Sequence, residues 1–159
     1  MNKKYWLIPM FVFSSTFSGW AANSEFMVDQ FPCVLEVEHF SIHLGRIVSD
    51  QDASNGKAVL SESLNFSARI TIFFKETGRY LLTLYAKTTA GSKDSIHIKV
   101  NNEPDVRTYP PVAFYGVYAP CKNKVPIVLK EPGKVTVTLY TTNEYGSYYD
   151  KAIIDKLDD

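Results

Sequence analysis

Two long stretches of the chain alternate between apolar and polar residues with a period of two. Every second residue from Phe66 is apolar in 65–74 (NFSARITIFF), and a similar series begins at Tyr80 in 79–88 (RYLLTLYAKT). Such alternation places one face of a strand in a core and the other face in water. The pattern therefore predicts two amphipathic strands joined by a turn at 76–78.

Shorter segments of the same kind are separated by turn-forming residues. SIHIKV ends at Asn101-Asn102, and KVTVTLYT follows a Pro-Gly turn at 132–133. No segment has the period of a helix longer than about two turns. Many short strands spaced by turns predict an all-β fold, a β-sandwich or barrel. The further strands that we expect lie at 33–40, 95–100, 125–129, 134–141 and 152–157.

The first residues have the pattern of an export signal. Two lysines precede a short apolar run from Tyr5 to Phe17, and small residues follow at Gly19 and Ala21. The alternative is a membrane anchor, but a comfortable span needs about 20 apolar residues. We expect a secreted or periplasmic protein with no membrane span in the mature chain. The predicted divisions are a signal peptide at 1–21, a short N-terminal segment at 22–32 and one domain at 33–159.

Composition and charge restrict the class of protein. The chain has 159 residues, enough for one domain with a real core, and its apolar content of 45% excludes bulk disorder. Lys and Arg number 17, as do Asp and Glu; removal of residues 1–21 removes two lysines and no acids, which leaves 15 against 17 and a charge of −2. Without a basic field, we expect no nucleic-acid partner.

The chain contains two cysteines, Cys33 and Cys121. In an oxidising compartment such a pair commonly forms a disulfide. A metal site or a catalytic thiol is the alternative, but further cysteines and a local histidine partner are missing. We expect a structural disulfide between Cys33 and Cys121.

The segment 33–40 (CVLEVEHF) contains two carboxylates within an apolar pattern. In a strand, Glu36 and Glu38 would share one face about 7 Å apart, where their charges repel. One explanation is a solvated sheet face. A glycosidase acid–base pair is another, but such pairs flank a cleft from different elements. No nucleophile, P-loop or histidine metal motif accompanies them, so we expect no enzyme.

The order of segments resembles the galactose-binding-like jelly-roll carbohydrate-binding modules, especially those of families six and thirty-five. The resemblance covers about 33–157. Each segment by itself is weakly specific for these families, whereas the order and spacing of the segments are more specific. The segments that carry it are LEVEHF, ASNGKAV, ITIFFKETGRYLLTLYAK, IHIKVNN, VPIVLKEPGKVTVTLY and the late Ile154-Asp155.

The resemblance implies a β-sandwich of the jelly-roll type with a structural calcium ion. Its ligands would be Glu36, Glu38 and Asp155, completed by backbone carbonyls. Calcium prefers six to eight oxygen ligands, and an ion here would offset the repulsion between the acids. The chain departs from the family pattern at Ala58, where an aromatic residue is common, and at Ile153, where an Asn is common. Two usual sugar contacts are therefore missing.

Two loops rich in aromatic residues supply candidate ligand contacts, since Tyr is a rigid anchor with a polar tip. They are 108–120 (TYPPVAFYGVYAP) and 143–150 (NEYGSYYD). The partner that we expect is a polysaccharide or glycan. The alternative is a module that has lost sugar binding and docks another envelope or secreted protein. The candidate contacts are Tyr115, Asn143, Tyr145 and Tyr148.

Overall fold

The computed structural model describes residues 25–88, 95–111, 116–142 and 145–158. Within them, the strands form two sheets, and a single turn of 3-10 helix at Val37–His39 follows β2. Sheet A contains β1 (Glu25–Val28), β3 (Ser41–His43), β6 (Ser67–Phe74), β8 (Ile96–Val100), β9 (Val106–Thr108) and β12 (Gly133–Tyr140). Sheet B contains β2 (Cys33–Glu36), β4 (Gly45–Ser49), β5 (Lys57–Ser61), β7 (Gly78–Lys87), β10 (Ala119–Pro120), β11 (Val125–Leu129) and β13 (Tyr148–Leu157).

The two sheets have long central strands flanked by short ones. Sheet A has the order β1-β6-β12-β8-β9, with β3 also beside β6. Sheet B has the order β10-β7-β13-β5-β4, with β11 also beside β7 and β2 beside β13. Among the described pairs, β1 runs parallel to β6 and the rest are antiparallel. The architecture is the predicted jelly-roll β-sandwich.

The core lies between the inner faces of the two sheets. Alternate residues of β6, β12 and β13 are buried, as the period-two pattern predicts. Large rings fill the interior: Phe66 stacks on Tyr149 with centroids 5.1 Å apart, and Phe74 packs against Tyr80 with centroids 4.7 Å apart. Continuous burial of this apolar surface is the main stabilising contribution to the fold.

Beyond shifts of one or two residues at strand ends, three differences from the predicted organisation stand out. β13 begins at Tyr148 rather than at residue 152, and the strand predicted at 33–40 ends at Glu36, where the 3-10 helix begins. Part of the segment 22–32, predicted to precede the domain, pairs with β6 as β1. The predicted signal peptide at 1–21 lies outside the described residues. In the part of the chain that is described, no helix has the length and apolarity to cross a membrane.

Candidate functional site

The loop 50–56, between β4 and β5, connects several buried polar groups. Three backbone hydrogen bonds hold it in a compact conformation: Asp50 N donates to Gly56 O, Ala53 N to Asp50 O and Gly56 N to Ala53 O. The loop reaches sheet B through the side chains of Asp50 and Ser54, and it reaches the 3-10 helix through Asn55. It includes the turn that the sequence pattern predicted at ASNG.

Ser54 joins two carboxylates from opposite ends of the domain. Its hydroxyl Oγ lies 2.8 Å from Oε2 of Glu36 and 2.8 Å from Oδ1 of Asp150, and its backbone N–H donates to the same Oδ1 at 2.8 Å. A hydroxyl has one hydrogen, so it cannot donate fully to both carboxylates. Asp150 is 2% exposed, so water cannot replace the missing hydrogen bond. Incomplete hydrogen bonding of a buried carboxylate costs free energy.

Glu38 lies next to this pair, on the 3-10 helix. Its Oε1 accepts a hydrogen bond of 3.0 Å from Nδ2 of Asn55, whereas its Oε2 is buried without a hydrogen-bond partner. The residue as a whole is 8% exposed. An unpartnered buried carboxylate oxygen carries a desolvation cost that a cation or a proton would remove.

The surroundings of Glu36 disfavour the ionised form of its carboxylate. Burial raises the pKa of Glu36 above its ordinary value, and the charges of Glu38 and Asp150 raise it further. The hydrogen bond from Ser54 and the charge of Lys151 lower this pKa and only partly offset the increase. A cluster of this kind favours a bound proton or a bound cation.

Asp155, the third predicted calcium ligand, does not lie in this cluster. Glu36 pairs with Lys151 of β13, while Asp155 lies four residues further along the same strand, opposite Leu81. At about 3.3 Å per residue, roughly 13 Å of strand separates Asp155 from that position. The structure places Glu36, at the end of β2, near Glu38 of the 3-10 helix, and the acid of the last strand that lies beside them is Asp150.

A one-residue bulge explains why the sequence pattern did not predict Asp150 as a member of this cluster. Tyr149 pairs with Ala86 and Lys151 pairs with Tyr85, so Asp150 is an extra residue in β13. A bulge changes the direction in which a side chain points, but it leaves the pattern of residue types along the chain unchanged. The available signal was the position of Asp150 directly before the apolar alternation of 152–157.

The oxygen donors of these residues suit a calcium ion chemically. Their arrangement in the structure, however, is not that of a ready calcium site. Their favourable features are three convergent carboxylates and the orphaned Oε2 of Glu38. Across the described ranges, however, no three acidic, histidine or cysteine side chains form a ready metal-binding group. Ser54 and Asn55 are hydrogen-bonded to the same carboxylates.

A second cluster adjoins the first at the other end of loop 50–56. Lys87, at the end of β7, forms an ion pair with Oδ2 of Asp50, and the Tyr118 hydroxyl donates to the same oxygen at 2.9 Å. The Lys87 ammonium lies 4.5 Å from the centroid of Tyr118 and 5.2 Å from that of Tyr148. Both side chains of the ion pair are largely buried, at 10% and 12% exposure.

This environment shifts the ionisation of two groups in opposite directions. Burial by itself would raise the pKa of Asp50, but hydrogen bonds from Lys87 and Tyr118 outweigh it and lower the pKa. Burial and the adjacent Asp50 raise the pKa of the Tyr118 hydroxyl. Asp50 is therefore ionised and Tyr118 neutral at pH 7, so the cluster is a charged pair beneath two aromatic rings.

The four predicted ligand contacts have different positions. Tyr148 lies half-buried beside Lys87, and Tyr145 is 62% exposed next to the turn at Gly146. Tyr115 and Asn143 fall outside the described residues. Lys87 and Asp50 were not predicted from the sequence, although a lysine stands at the end of the apolar alternation of β7.

The predicted disulfide is wrong: Cys33 and Cys121 are both free and buried. Cys33 pairs with Ile154 of β13, and the backbone N–H of Cys121 donates to Leu84 O on β7. Because β13 and β7 lie between them, three strand spacings, or about 14 Å, separate the two residues. A disulfide needs Cα atoms about 4.4–6.8 Å apart.

Comparison with known proteins shows what this fold resembles. No model of a known protein family matches the chain, and no curated protein matches it. Among solved structures, an exo-β-1,3-galactanase from Phanerochaete chrysosporium with β-1,3-galactotriose is 22% identical with a TM-score of 0.65. The match covers 77% of this chain but only 29% of the galactanase, so the chain spans less than a third of that enzyme.

Two isolated carbohydrate-binding modules match over nearly their whole length. A family 35 module from Clostridium thermocellum is 18% identical with a TM-score of 0.63, and the match covers 77% of this chain and 98% of that module. A module of the same family from Paenibacillus barcinonensis is 13% identical with a TM-score of 0.63, covering 80% and 99% of the two chains. The chain has the fold of the family 35 carbohydrate-binding modules.

Proposed function

We propose that the protein is a non-catalytic carbohydrate-binding module with lectin-like activity. The observation that carries this proposal is the structural match to whole family 35 carbohydrate-binding modules. Exposed Tyr145 and half-buried Tyr148 and Tyr118 supply rings at one end of sheet B. Sugars stack their apolar faces on such rings while polar groups bond the hydroxyls.

A glycan array with the full chain, in calcium and in chelator, tests this function. We expect binding to a defined set of glycans, and loss of about tenfold in affinity for Tyr145→Ala, because one anchoring ring contributes about 1.4 kcal/mol or more. Tyr109→Ala is the matched control, since this half-buried ring lies beside Lys122. Absence of binding to every glycan would contradict the proposal.

A second candidate function is protein docking. Ala58 is fully buried, so no ring stands at the position where the family often has one. The outer face of sheet B also exposes Val34 and Val128, at 44% and 65%. Recovery of one specific protein from the envelope or secreted fraction, with an empty glycan array, would favour this function.

Calcium binding belongs to the same proposal, with a corrected ligand set. Glu36, Glu38 and Asp150 would hold the ion, with the oxygens of Ser54 and Asn55 nearby. When bound, calcium supplies positive charge and up to eight coordination positions for these oxygens. A bound ion would give the buried Oε2 of Glu38 a partner, in addition to the hydrogen bonds that already hold loop 50–56 to β13. A rise of the melting temperature with calcium, abolished by Glu38→Gln, tests the site.

Export is also part of the proposal, on the evidence of the sequence at 1–21. Amino-terminal sequencing of protein from the culture medium or envelope fraction should show a mature chain beginning at Ala22. Recovery of the intact chain in the cytoplasm would contradict export. The absence of a catalytic constellation in the sequence supports a binding role over an enzyme.

A further inference from the structure

The outward face of sheet A is separate from the loop 50–56 and its clusters. Its side chains alternate with the core residues of the same strands. Most are polar or basic, and they form a continuous surface on the three adjacent strands. The outward residues are Ser67, Arg69, Thr71 and Phe73 of β6, Lys134, Thr136, Thr138 and Tyr140 of β12, and His97 and Lys99 of β8.

Two cations on this face lie on either side of one threonine. Thr138 pairs with Arg69 on β6 and with Lys99 on β8. Neighbouring strands are about 4.8 Å apart, so the Cα atoms of Arg69 and Lys99 are separated by roughly 10 Å. Both side chains are exposed, and within the described ranges neither forms an ion pair.

The adjacent row supplies an immobilised aromatic ring. Tyr140 pairs with Ser67 on one side and His97 on the other, and Arg107 of β9 lies opposite His97. The His97 ring stacks on Tyr140 with centroids 5.1 Å apart and planes at 23°. Nδ1 of His97 lies 2.5 Å from Oδ2 of Asp105, which fixes the imidazole and therefore the tyrosine.

The charge on this face is local and unbalanced. Lys134 is paired with Glu25 and His97 with Asp105, which leaves Arg69, Lys99 and Arg107 without an acid among the described residues. The whole chain is neutral, with 17 basic and 17 acidic residues. Three free cations on one sheet face therefore favour a partner with repeated negative charges, by charge complementarity.

We propose that the outer face of sheet A binds an anionic polysaccharide, one that carries a carboxylate or sulfate group on successive sugar residues. Arg69 and Lys99 bind two such anions, with Arg107 at the edge of the surface. Thr138 and Ser67 hydrogen-bond hydroxyl groups between these anions, and the fixed Tyr140 ring packs against a sugar face. The site is distinct from the proposed loop-end site and does not require it.

Affinity measured by calorimetry at low ionic strength tests the proposal on the full chain. Dextran sulfate against dextran isolates the sulfate group, and polygalacturonate against its methyl ester isolates the carboxylate. We expect binding to one or both charged polymers and at least a tenfold weaker interaction with the uncharged counterparts. Affinity should fall as sodium chloride is raised from about 50 to 500 mM, because salt screens exposed charges.

Arg69→Gln with Lys99→Gln is the decisive variant, and Arg79→Gln with Lys124→Gln removes the same charge from elsewhere on the protein. We expect affinity for the charged polymer to fall at least tenfold in the first variant and to be unchanged in the second. Equal loss in both variants, or no binding by the native chain, would overturn the proposal. Equally tight binding of duplex DNA would also overturn it, because the face would then be a general anion surface.

A failure of this proposal differs from a failure of the loop-end site. The Arg69→Gln/Lys99→Gln variant should keep its binding to any neutral glycan found on the array, because both side chains lie on the opposite sheet from loop 50–56. Tyr145→Ala should keep its binding to the charged polymer. Loss of both activities in each variant would contradict two separate surfaces.

Discussion

Asp150 accepts two hydrogen bonds of 2.8 Å from Ser54, one from the backbone N–H and one from the hydroxyl, across 96 residues of sequence. The pair anchors loop 50–56 to the bulge in β13. It also brings the carboxylate of Asp150 next to those of Glu36 and Glu38. The stability of the loop and the proposed affinity for calcium therefore depend on the same side chain.

Asp150→Asn should lower the free energy of unfolding by about 1–3 kcal/mol, since it alters a buried acceptor with two donors. The variant should also lose the rise in melting temperature that calcium produces, which for a site filled to about a hundred times its dissociation constant corresponds to roughly 2.7 kcal/mol. Urea unfolding with calcium and with chelator measures both effects.

The matched control is Asp155→Asn on the same strand, outside the cluster. Its effect on stability should stay within about 0.5 kcal/mol, as for most surface substitutions. Its response to calcium should equal that of the native chain. A calcium response lost in Asp155→Asn and kept in Asp150→Asn would contradict the revised ligand set.

Glu36 predicts a specific dependence of stability on pH when calcium is absent. Its pKa in the folded state is raised above the ordinary value of 4.5, so the folded state binds the proton more tightly than the unfolded state. The resulting stabilisation is fully present below pH 4.5 and is lost as the pH rises through the raised pKa. Melting temperatures in chelator should show this loss, and Glu36→Gln should reduce it.

Glu76 is the control for that experiment because its pKa shift has the opposite sign. The ion pair with Lys156 lowers the pKa of this exposed carboxylate. Its contribution is therefore present above its unfolded pKa and lost as the pH falls. Glu76→Gln should leave the change above pH 4.5 intact; a profile altered as strongly by Glu76→Gln as by Glu36→Gln would count against the assignment.

The buried ion pair between Lys87 and Asp50 should make a large difference when one partner is removed. Lys87→Met leaves Asp50 buried without its cation, and we expect a loss of about 3–5 kcal/mol in the free energy of unfolding. Lys156→Met, which breaks an exposed pair, should cost less than about 1 kcal/mol. Chemical denaturation of both variants measures the two losses of unfolding free energy. Equal losses would contradict the prediction that burial makes the Lys87–Asp50 pair more important.

The two cysteines should behave as unreactive thiols in the folded protein. Burial raises the pKa of Cys33 to about 11 and that of Cys121 to about 12, so little thiolate exists at pH 8. A thiol reagent should label both residues quickly in denaturant and slowly under native conditions. A reducing agent should leave the melting temperature unchanged. Purified protein that shows no free thiol in denaturant would contradict the structure.

The sequence predicted the fold well where each residue follows the pattern of its neighbours. The alternation of β6, β7 and β12 gave their faces correctly because a regular strand repeats every two residues. At the candidate site, two local irregularities interrupt the period of two, so it does not predict the side-chain directions there. The chain leaves the strand after Glu36, and the bulge at Asp150 adds one residue.

The sequence pattern predicts contacts between distant residues less well than it predicts strand faces. Two cysteines in a chain predicted to be exported suggested a bridge, but the number of cysteines carries no information on the strands that separate Cys33 from Cys121. Similarly, Asp155 was chosen from its place in an Ile-Asp pair, whereas register decides which acid meets Glu36. Tyr145 and Tyr148 were named as ligand contacts from loop composition alone, and their contact with a ligand stays a prediction.

The position of β13 has a consequence for synthesis of the chain. The strand occupies the centre of sheet B, between β7 and the strands β2 and β5, yet it is formed by residues 148–157. Until those residues leave the ribosome, the hydrogen-bonding edges of β2 and β7 that face β13 lack their partner, and sheet B is incomplete. The domain therefore cannot complete sheet B before residues 148–157 have been synthesised, and the long-range pairing of its central strand predicts slow folding.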